Sequence, residues 1–249
     1  MRALITGASS GLGKDFAFKL SEMGYDLVLV ARSKNKLEDI KKEIKTNVDI
    51  EVMDLSVSEN CYKLYNKYKN KIDFLINNAG FGACGKFNEI NLDDEINMID
   101  LNVVSLHILT KLFLNDFISK DEGRILNVSS SAAFEPGPLM ATYYATKSYV
   151  YNLTMAIYEE LRHIKSNVKI NILCPGPVDT GFNKRAKVKF KIKSLSSDKV
   201  TEYTLNHLNK LIIIPGFTMK IGVFFNRLVP RKLVLKFIYK VQQRKIYRR

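Results

Sequence analysis

Short apolar runs and longer amphipathic stretches take turns along the chain. The apolar runs are Arg2 to Thr6, Asp26 to Ala31, Asp49 to Met53, Asp73 to Ile76, Arg124 to Val128 and Val168 to Cys174. Each is of strand length and has no continuous polar face, the mark of strands covered on both sides. Between them, helical periodicity runs through Met23 after the first strand, from Lys34 to Thr46, from Leu92 to Asn115 and from Ala141 to Ile164. Strands alternating with helices predict an α/β fold built on a parallel sheet. Such sheets bind ligands beyond the carboxyl ends of their strands, so the residues leaving each run are where chemistry is sought.

The first run leads into Thr6-Gly7-Ala8-Ser9-Ser10-Gly11-Leu12-Gly13-Lys14. Glycines between a strand and a helix let the backbone approach a phosphate at the helix's positive end, so Gly7, Ser9, Ser10, Gly11, Leu12 and Gly13 form a candidate pyrophosphate turn. The spacing is Gly-x-x-x-Gly-x-Gly rather than Gly-x-Gly-x-x-Gly, and a plain tight turn is the alternative. The second run ends in Ala31-Arg32-Ser33, where a fold that uses NAD carries an acidic residue. A guanidinium at Arg32 suits a 2′-phosphate and favours NADP(H); a solvated strand-end arginine is the other reading. Asp54 and Leu55 close the third strand, with Asp54 either accepting from an adenine amino group or capping the helix that starts near Val57. The fourth run enters Asn77-Asn78-Ala79-Gly80, small and amide residues suited to a wall beside the adenine ribose.

Ser129-Ser130-Ser131 follows the fifth run, and Tyr143 and Lys147 share the helix that comes next. Residues four apart on a helix are neighbours, so the Lys147 ammonium is expected to favour the Tyr143 phenolate and bring a group with a pKa of about 10 toward working pH. A serine hydroxyl, a phenol and an ammonium together can reduce a carbonyl. Spacing alone is weak: Tyr65 and Lys69 repeat it where Lys63, Asn66 and Lys67 mark a solvated face, and Tyr144 competes for Lys147. Asn102, polar within an apolar helix, either bonds local backbone or holds a water in a proton path. After the sixth run, Pro175-Gly176-Pro177-Val178-Asp179-Thr180 is a stiff turn whose carbonyls and Thr180 hydroxyl suit a nicotinamide carboxamide, or a plain loop.

Length and composition narrow this reading. At 249 residues and 46% hydrophobic content, one large α/β domain is expected. Cys61, Cys84 and Cys174 show no paired or metal-ligand spacing, as thiols in a reducing cytosol would. The first strand begins at once, leaving no room for a signal peptide, and no uninterrupted apolar run spans a bilayer, so a cytoplasmic protein is expected. The net charge of +14 is concentrated: residues 181 to 249 hold 18 Lys or Arg against 2 acidic residues, whereas the first 180 hold 21 basic and 23 acidic. A near-neutral body therefore carries a basic tail. Gly181 to Lys193 interleaves lysines with Val188, Phe190 and Ile192, as a mobile lid would. A last helix sets Val234, Phe237, Ile238 and Val241 on one side and Lys232, Lys236, Lys240 and Arg244 on another. That apolar face either lies in a membrane interface or packs on the domain or on a second subunit, and it makes nucleic acid the poorer partner.

Thr6-Gly7 through Gly13, Asn77 to Gly80, Asn102, Ser130, Tyr143, Lys147 and Pro175-Gly176 stand in the order and spacing of the short-chain dehydrogenase/reductase family, which the chain resembles over residues 1 to 180. Pro215-Gly216 and Arg227-Leu228-Val229-Pro230-Arg231 resemble tails of a bacterial-type branch. The resemblance implies a Rossmann-type doubly wound sheet of seven strands, Leu211 to Ile214 being the last, and a substrate-covering segment after Thr180. It implies that Tyr143 donates the proton, Ser130 polarises the carbonyl, Lys147 binds the nicotinamide ribose and Asn102 anchors a water relay. The activity implied is interconversion of a hydrophobic ketone or aldehyde and its alcohol with NADP(H), by a dimer or tetramer paired through the long helices. A protein that senses NADP(H) without turnover is the second reading, disfavoured by the complete tetrad.

Overall fold

The computed structural model describes residues 1–179, 194–226 and 229–246, with the backbone alone for 224–226 and 244–246. Six apolar runs form β1 (Arg2–Thr6), β2 (Asp26–Ala31), β3 (Val48–Val52), β4 (Phe74–Asn77), β5 (Arg124–Val128) and β6 (Lys169–Leu173). The chain then makes a parallel pair, β7 (Val178–Asp179) with β8 (Leu195–Ser196), before β9 (Ile212–Ile213) completes the main sheet. That sheet has seven strands, all parallel, in the order β3-β2-β1-β4-β5-β6-β9. Strand order reverses direction between β1 and β4, and the crevice above such a switch point is where doubly wound sheets take their ligands.

The helices are α1 (Gly11–Glu22), α2 (Lys34–Glu43), α3 (Ser58–Tyr68), α4 (Leu92–Ile99), α5 (Ser105–Lys120), α6 (Ala141–His163), α7 (Ser197–Leu205), α8 (Phe217–Asn226) and α9 (Arg231–Ile246). Successive strand residues point to opposite faces. Ala3 and Ile5 of β1 therefore join Phe16 and Leu20 of α1, Leu37 of α2 and Val200 of α7 in one core. Leu4 between them joins Leu64 of α3, Phe113 and Phe117 of α5 and Leu161 of α6 in the other. Because both faces are covered, the strand sequences read as unbroken apolar runs.

The periodicity from Leu92 to Asn115 predicts one regular helix, and the structure differs there. The chain is helical from Leu92 to Lys120, but α4 and α5 are joined by a π-helical turn over Asp100–Val104. By length and mean hydropathy this continuous helix is long and apolar enough to cross a membrane, although charged residues such as Asp100 and Lys111 interrupt it, so it is not an uninterrupted apolar run. Its Leu109, Phe113 and Phe117 are nonetheless buried in the second core, so it packs as a core helix. At the other boundary that shifts, α2 stops at Glu43 because Ile44 turns to extended backbone (φ −87°, ψ 138°) to lead into β3. None of the three cysteines is in a disulfide.

Candidate active site

The turn after β1 is shaped by what cannot fit. Gly7 and Gly11 have positive φ (68° and 53°), which glycine adopts without a Cβ penalty. A Cβ on Gly13 would collide with the Gly7 carbonyl oxygen, so Gly13 holds α1 against the turn from behind. Thr6 and Asn78 tie this turn to the end of β4. The Thr6 Oγ1 accepts from the Asn78 and Ala79 backbone N–H groups (2.9 and 3.0 Å), and Asn78 Nδ2 donates to the Thr6 carbonyl (2.9 Å). A cavity of about 1060 Å³ opens above these loops, lined by Gly7, Ser9, Ser10, Gly11 and Leu12, by Asn78, Ala79 and Gly80, and by Arg32, Asp54 and Leu55 at the ends of β2 and β3.

Arg32 and Asp54 meet on that wall, Arg32 Nη1 lying 3.4 Å from Asp54 Oδ2. Asp54 also accepts from the Ser56 N–H and hydroxyl (3.0 and 2.8 Å) rather than capping α3. Burial pushes its carboxyl up, but the Ser56 hydrogen bonds and the Arg32 charge outweigh it and hold the group below the usual carboxylate range. Lys36, from the first turn of α2, lines the cavity as well. Sequence reading missed it, although its place one helical turn beyond the strand end was a usable signal.

On the far side of the crevice, α6 carries Tyr143 and Lys147, and both line the cavity with Ser130. Ser130 stands close enough to Tyr143 to favour its ionised form, and its Oγ accepts from the Ala132 N–H (3.1 Å), starting a 3-10 turn over Ser131–Phe134. Lys147 is 5% exposed; its Nζ donates to the Val128 carbonyl (2.9 Å) and lies 5.9 Å from the Tyr143 ring centroid. Burial removes solvation from the ammonium and lowers its pKa to about 8, against the opposing pull of Cys174.

The expectation that Lys147 draws the phenol down is not met here. Burial pushes Tyr143 up to about 12 and Ser130 opposes it only in part. The reason is depth: a helical neighbour's charge is visible in sequence, whereas the loss of water around the phenol is not. The repeated Tyr65 to Lys69 spacing is structural, since the Tyr65 hydroxyl donates to Asp116 Oδ1 on α5 (2.7 Å).

Asn102 sits in the π-helical turn, 1% exposed and behind the cavity wall. It bonds across to a loop rather than to its own helix. Its Oδ1 accepts from the Phe81 N–H (3.0 Å), and its Nδ2 donates to the Phe81 carbonyl (2.8 Å) and to Thr146 Oγ1 on α6 (3.1 Å). Gly80 makes room for this: a Cβ there would stand 2.9 Å from Asn102 Oδ1 and 3.5 Å from Lys147 Nζ. A π-bulge at a functional site is a recurrent device, and here it carries the amide that joins the Phe81 loop to α6.

Pro175, Gly176 and Val178 also line the cavity, and the Pro175 carbonyl accepts from the Ser131 N–H (2.8 Å). Thr180 and the proposed lid, Gly181 to Lys193, lie outside the described residues. The rest of the wall was not foreseen as a wall. Phe81, Phe134, Met140 and Tyr144 contribute from the body, and Met219 and Val223 of α8 with Leu233, Ile238, Val241 and Gln242 of α9 from the tail. The last helix thus turns much of its apolar side to the cavity, with Phe237 at the rim.

The model of the short chain dehydrogenase family matches residues 1–189. The NADP-dependent 3-hydroxy acid dehydrogenase of Schizosaccharomyces pombe is 35% identical over 190 residues, covering 72% of each chain. Among solved structures, a short-chain dehydrogenase from Sphingobium yanoikuyae in complex with NADPH superposes with a TM-score of 0.81 at 28% identity, covering 87% of this chain and 88% of the other. A short chain dehydrogenase/reductase from Burkholderia phymatum in complex with NAD gives 0.82 at 25% identity, over 89% and 91%. The chain belongs to the short-chain dehydrogenase family. It is an oxidoreductase of the class that acts on CH–OH and C=O groups with a nicotinamide nucleotide.

Proposed function

We propose that the protein is an NADP(H)-dependent oxidoreductase that interconverts a hydrophobic carbonyl compound and its alcohol, with Tyr143 as proton donor and acceptor. The observation that carries this reading is that Ser130, Tyr143 and a buried Lys147 converge on the wall of one large cavity. The chain's own residues fit the nucleotide: a glycine cradle that a Cβ would fill, and two cations, Arg32 and Lys36, on the wall where a 2′-phosphate would lie. Bound NADP(H) supplies or takes the hydride. Tyr143 gives its proton to the carbonyl oxygen, and Ser130 hydrogen-bonds the same oxygen. Lys147 holds positive charge beside the phenol and hydroxyl groups of the ribose, while Asn102 braces the Phe81 loop against α6. Positioning in a largely apolar cavity contributes much of the acceleration.

The substrate is hydrophobic on this reading because α8 and α9 bring mostly apolar side chains to the cavity. Phe217, Leu233 and Phe237 are 76%, 56% and 69% exposed beside Lys220, Lys232 and Lys236, a mixture that suits peripheral contact with an anionic lipid surface. Salt-sensitive sedimentation with phosphatidylserine vesicles, but not with neutral ones, tests this contact. Exposed Leu92, Ile96, Tyr149 and Tyr158 on α4 and α6 suit pairing with a second copy, which analytical ultracentrifugation tests. The enzymatic reading is tested by NADPH oxidation with medium-chain ketones and aldehydes: turnover that disappears in Tyr143→Phe supports it, and turnover indifferent to that change refutes it.

A further inference from the structure

A second cavity, of about 290 Å³, adjoins β9 and α8. Its apolar wall is Ile212 to Ile214, with Val223 of α8 and Phe134 of the 3-10 turn, and its polar groups are Tyr203 of α7, Lys210 and Lys220. Lys220 Nζ donates to the Tyr203 hydroxyl (2.9 Å) and lies 5.4 Å from the centre of the Tyr203 ring. That ring is braced, since it stacks on His207 at 3.9 Å and His207 Nδ1 donates to the Tyr203 carbonyl (2.7 Å). Having accepted from Lys220, the Tyr203 hydroxyl keeps its own hydrogen to donate. Both ammonium groups hold further N–H donors, and among the described residues no Asp or Glu lines the cavity. Every polar side chain on this wall is therefore a donor, and two of the three carry positive charge.

We propose that this cavity binds an amphiphilic monoanion, a carboxylate on a short hydrocarbon chain, at a site distinct from the large cavity. An ionised carboxylate only accepts hydrogen bonds, so it matches a wall of donors, and charge assistance strengthens each bond. Two point charges and a phenol, without an arginine fork, suit its two oxygens. The isoleucines of β9, Val223 and Phe134 take the hydrocarbon. Phe134 and Val223 also line the large cavity, and Phe134 is held edge-on against Tyr151 of α6 (ring centroids 5.0 Å apart). The two chambers share that wall. The site stands apart from the reductase reading, because binding alone defines it.

The test titrates octanoate, 1-octanol and acetate into the ¹⁵N-labelled protein with NADPH present, and follows the backbone amide shifts. Octanol keeps the chain without the charge, and acetate keeps the charge without the chain. Octanoate is expected to bind about tenfold or more tighter than either and to move the amides of Tyr203, Ile212 to Ile214 and Lys220. Lys210→Met together with Lys220→Met should weaken octanoate about tenfold and leave octanol within about twofold. Tyr203→Phe keeps the ring and loses only the hydroxyl, and should weaken octanoate about fivefold. Octanoate that binds no better than octanol, affinity indifferent to the lysine and tyrosine changes, or shifts confined to Met140, Tyr143 and Leu233 of the large cavity would each overturn the site. None of these readouts needs turnover, so failure of the reductase reading is seen separately.

Discussion

Lys147 and Tyr143 are residues on which burial and function pull in opposite directions. Burial disfavours the charged form of each, so the ammonium is lowered to about 8 and the phenol is raised to about 12. At neutral pH the phenol is therefore protonated, the form that reduction consumes. The ammonium holds its proton below about 8 and loses it as pH rises, so kcat/KM for reduction is expected to be level below about pH 8 and to fall above it. A profile still rising above that point would mean that the charge on Lys147 is not required. Replacing Tyr143 by Phe removes the proton donor while keeping the ring, and should cost about 10²–10⁴-fold in kcat, read against unchanged NADPH affinity. At this scale the sequence was informative about identity: Ser130, Tyr143 and Lys147 carry their chemistry in their side chains, and helical spacing puts two of them together. It was uninformative about the direction of the Tyr143 shift, which depends on how much protein surrounds the phenol.

Among the elements, the π-helical turn at Asp100–Val104 and the glycine turn after β1 do the positioning. Asn102→Leu would fill a similar volume yet remove the amide's bonds to the Phe81 backbone and to the Thr146 hydroxyl. A loss of about 2–4 kcal/mol in unfolding free energy is expected, since three buried hydrogen bonds go at once. Denaturation that matches wild type would show that the Asn102 network contributes little. Gly13→Ala forces a methyl into the Gly7 carbonyl oxygen and should displace α1, weakening NADPH binding by about tenfold or more, read by fluorescence titration. The glycines could be picked out from sequence because a strand, a glycine-rich turn and a helix followed in order. The π turn could not, because its apolar residues repeat at nearly the period of a regular helix.

For the whole molecule, a near-neutral doubly wound body carries the glycine turn and a basic tail supplies part of the cavity wall. The body's topology was legible, because strands buried on both sides have no polar face to hide them. The tail was not: its apolar face suited a membrane slightly better than a second copy or the body, because its charge is so concentrated, and the Gln242 to Tyr144 bond joins residues 98 apart in sequence. Lys36 escaped notice although it stands one helical turn beyond the strand end that carries Arg32, and the fold brings both to one wall. If these two cations hold a 2′-phosphate, Arg32→Ala with Lys36→Ala should weaken NADPH about tenfold or more and leave NADH affinity within about twofold. Equal loss for both nucleotides would contradict the NADP(H) preference.

The central claim, that a Tyr143-dependent reductase works on hydrophobic carbonyls, is tested most directly by NADPH oxidation across ketones and aldehydes of increasing chain length, with Tyr143→Phe alongside. The account predicts that kcat/KM rises with chain length and that the variant loses turnover while still binding NADPH. Turnover that ignores chain length would contradict the apolar chamber formed by α8 and α9, and turnover that survives in the variant would contradict the role of Tyr143.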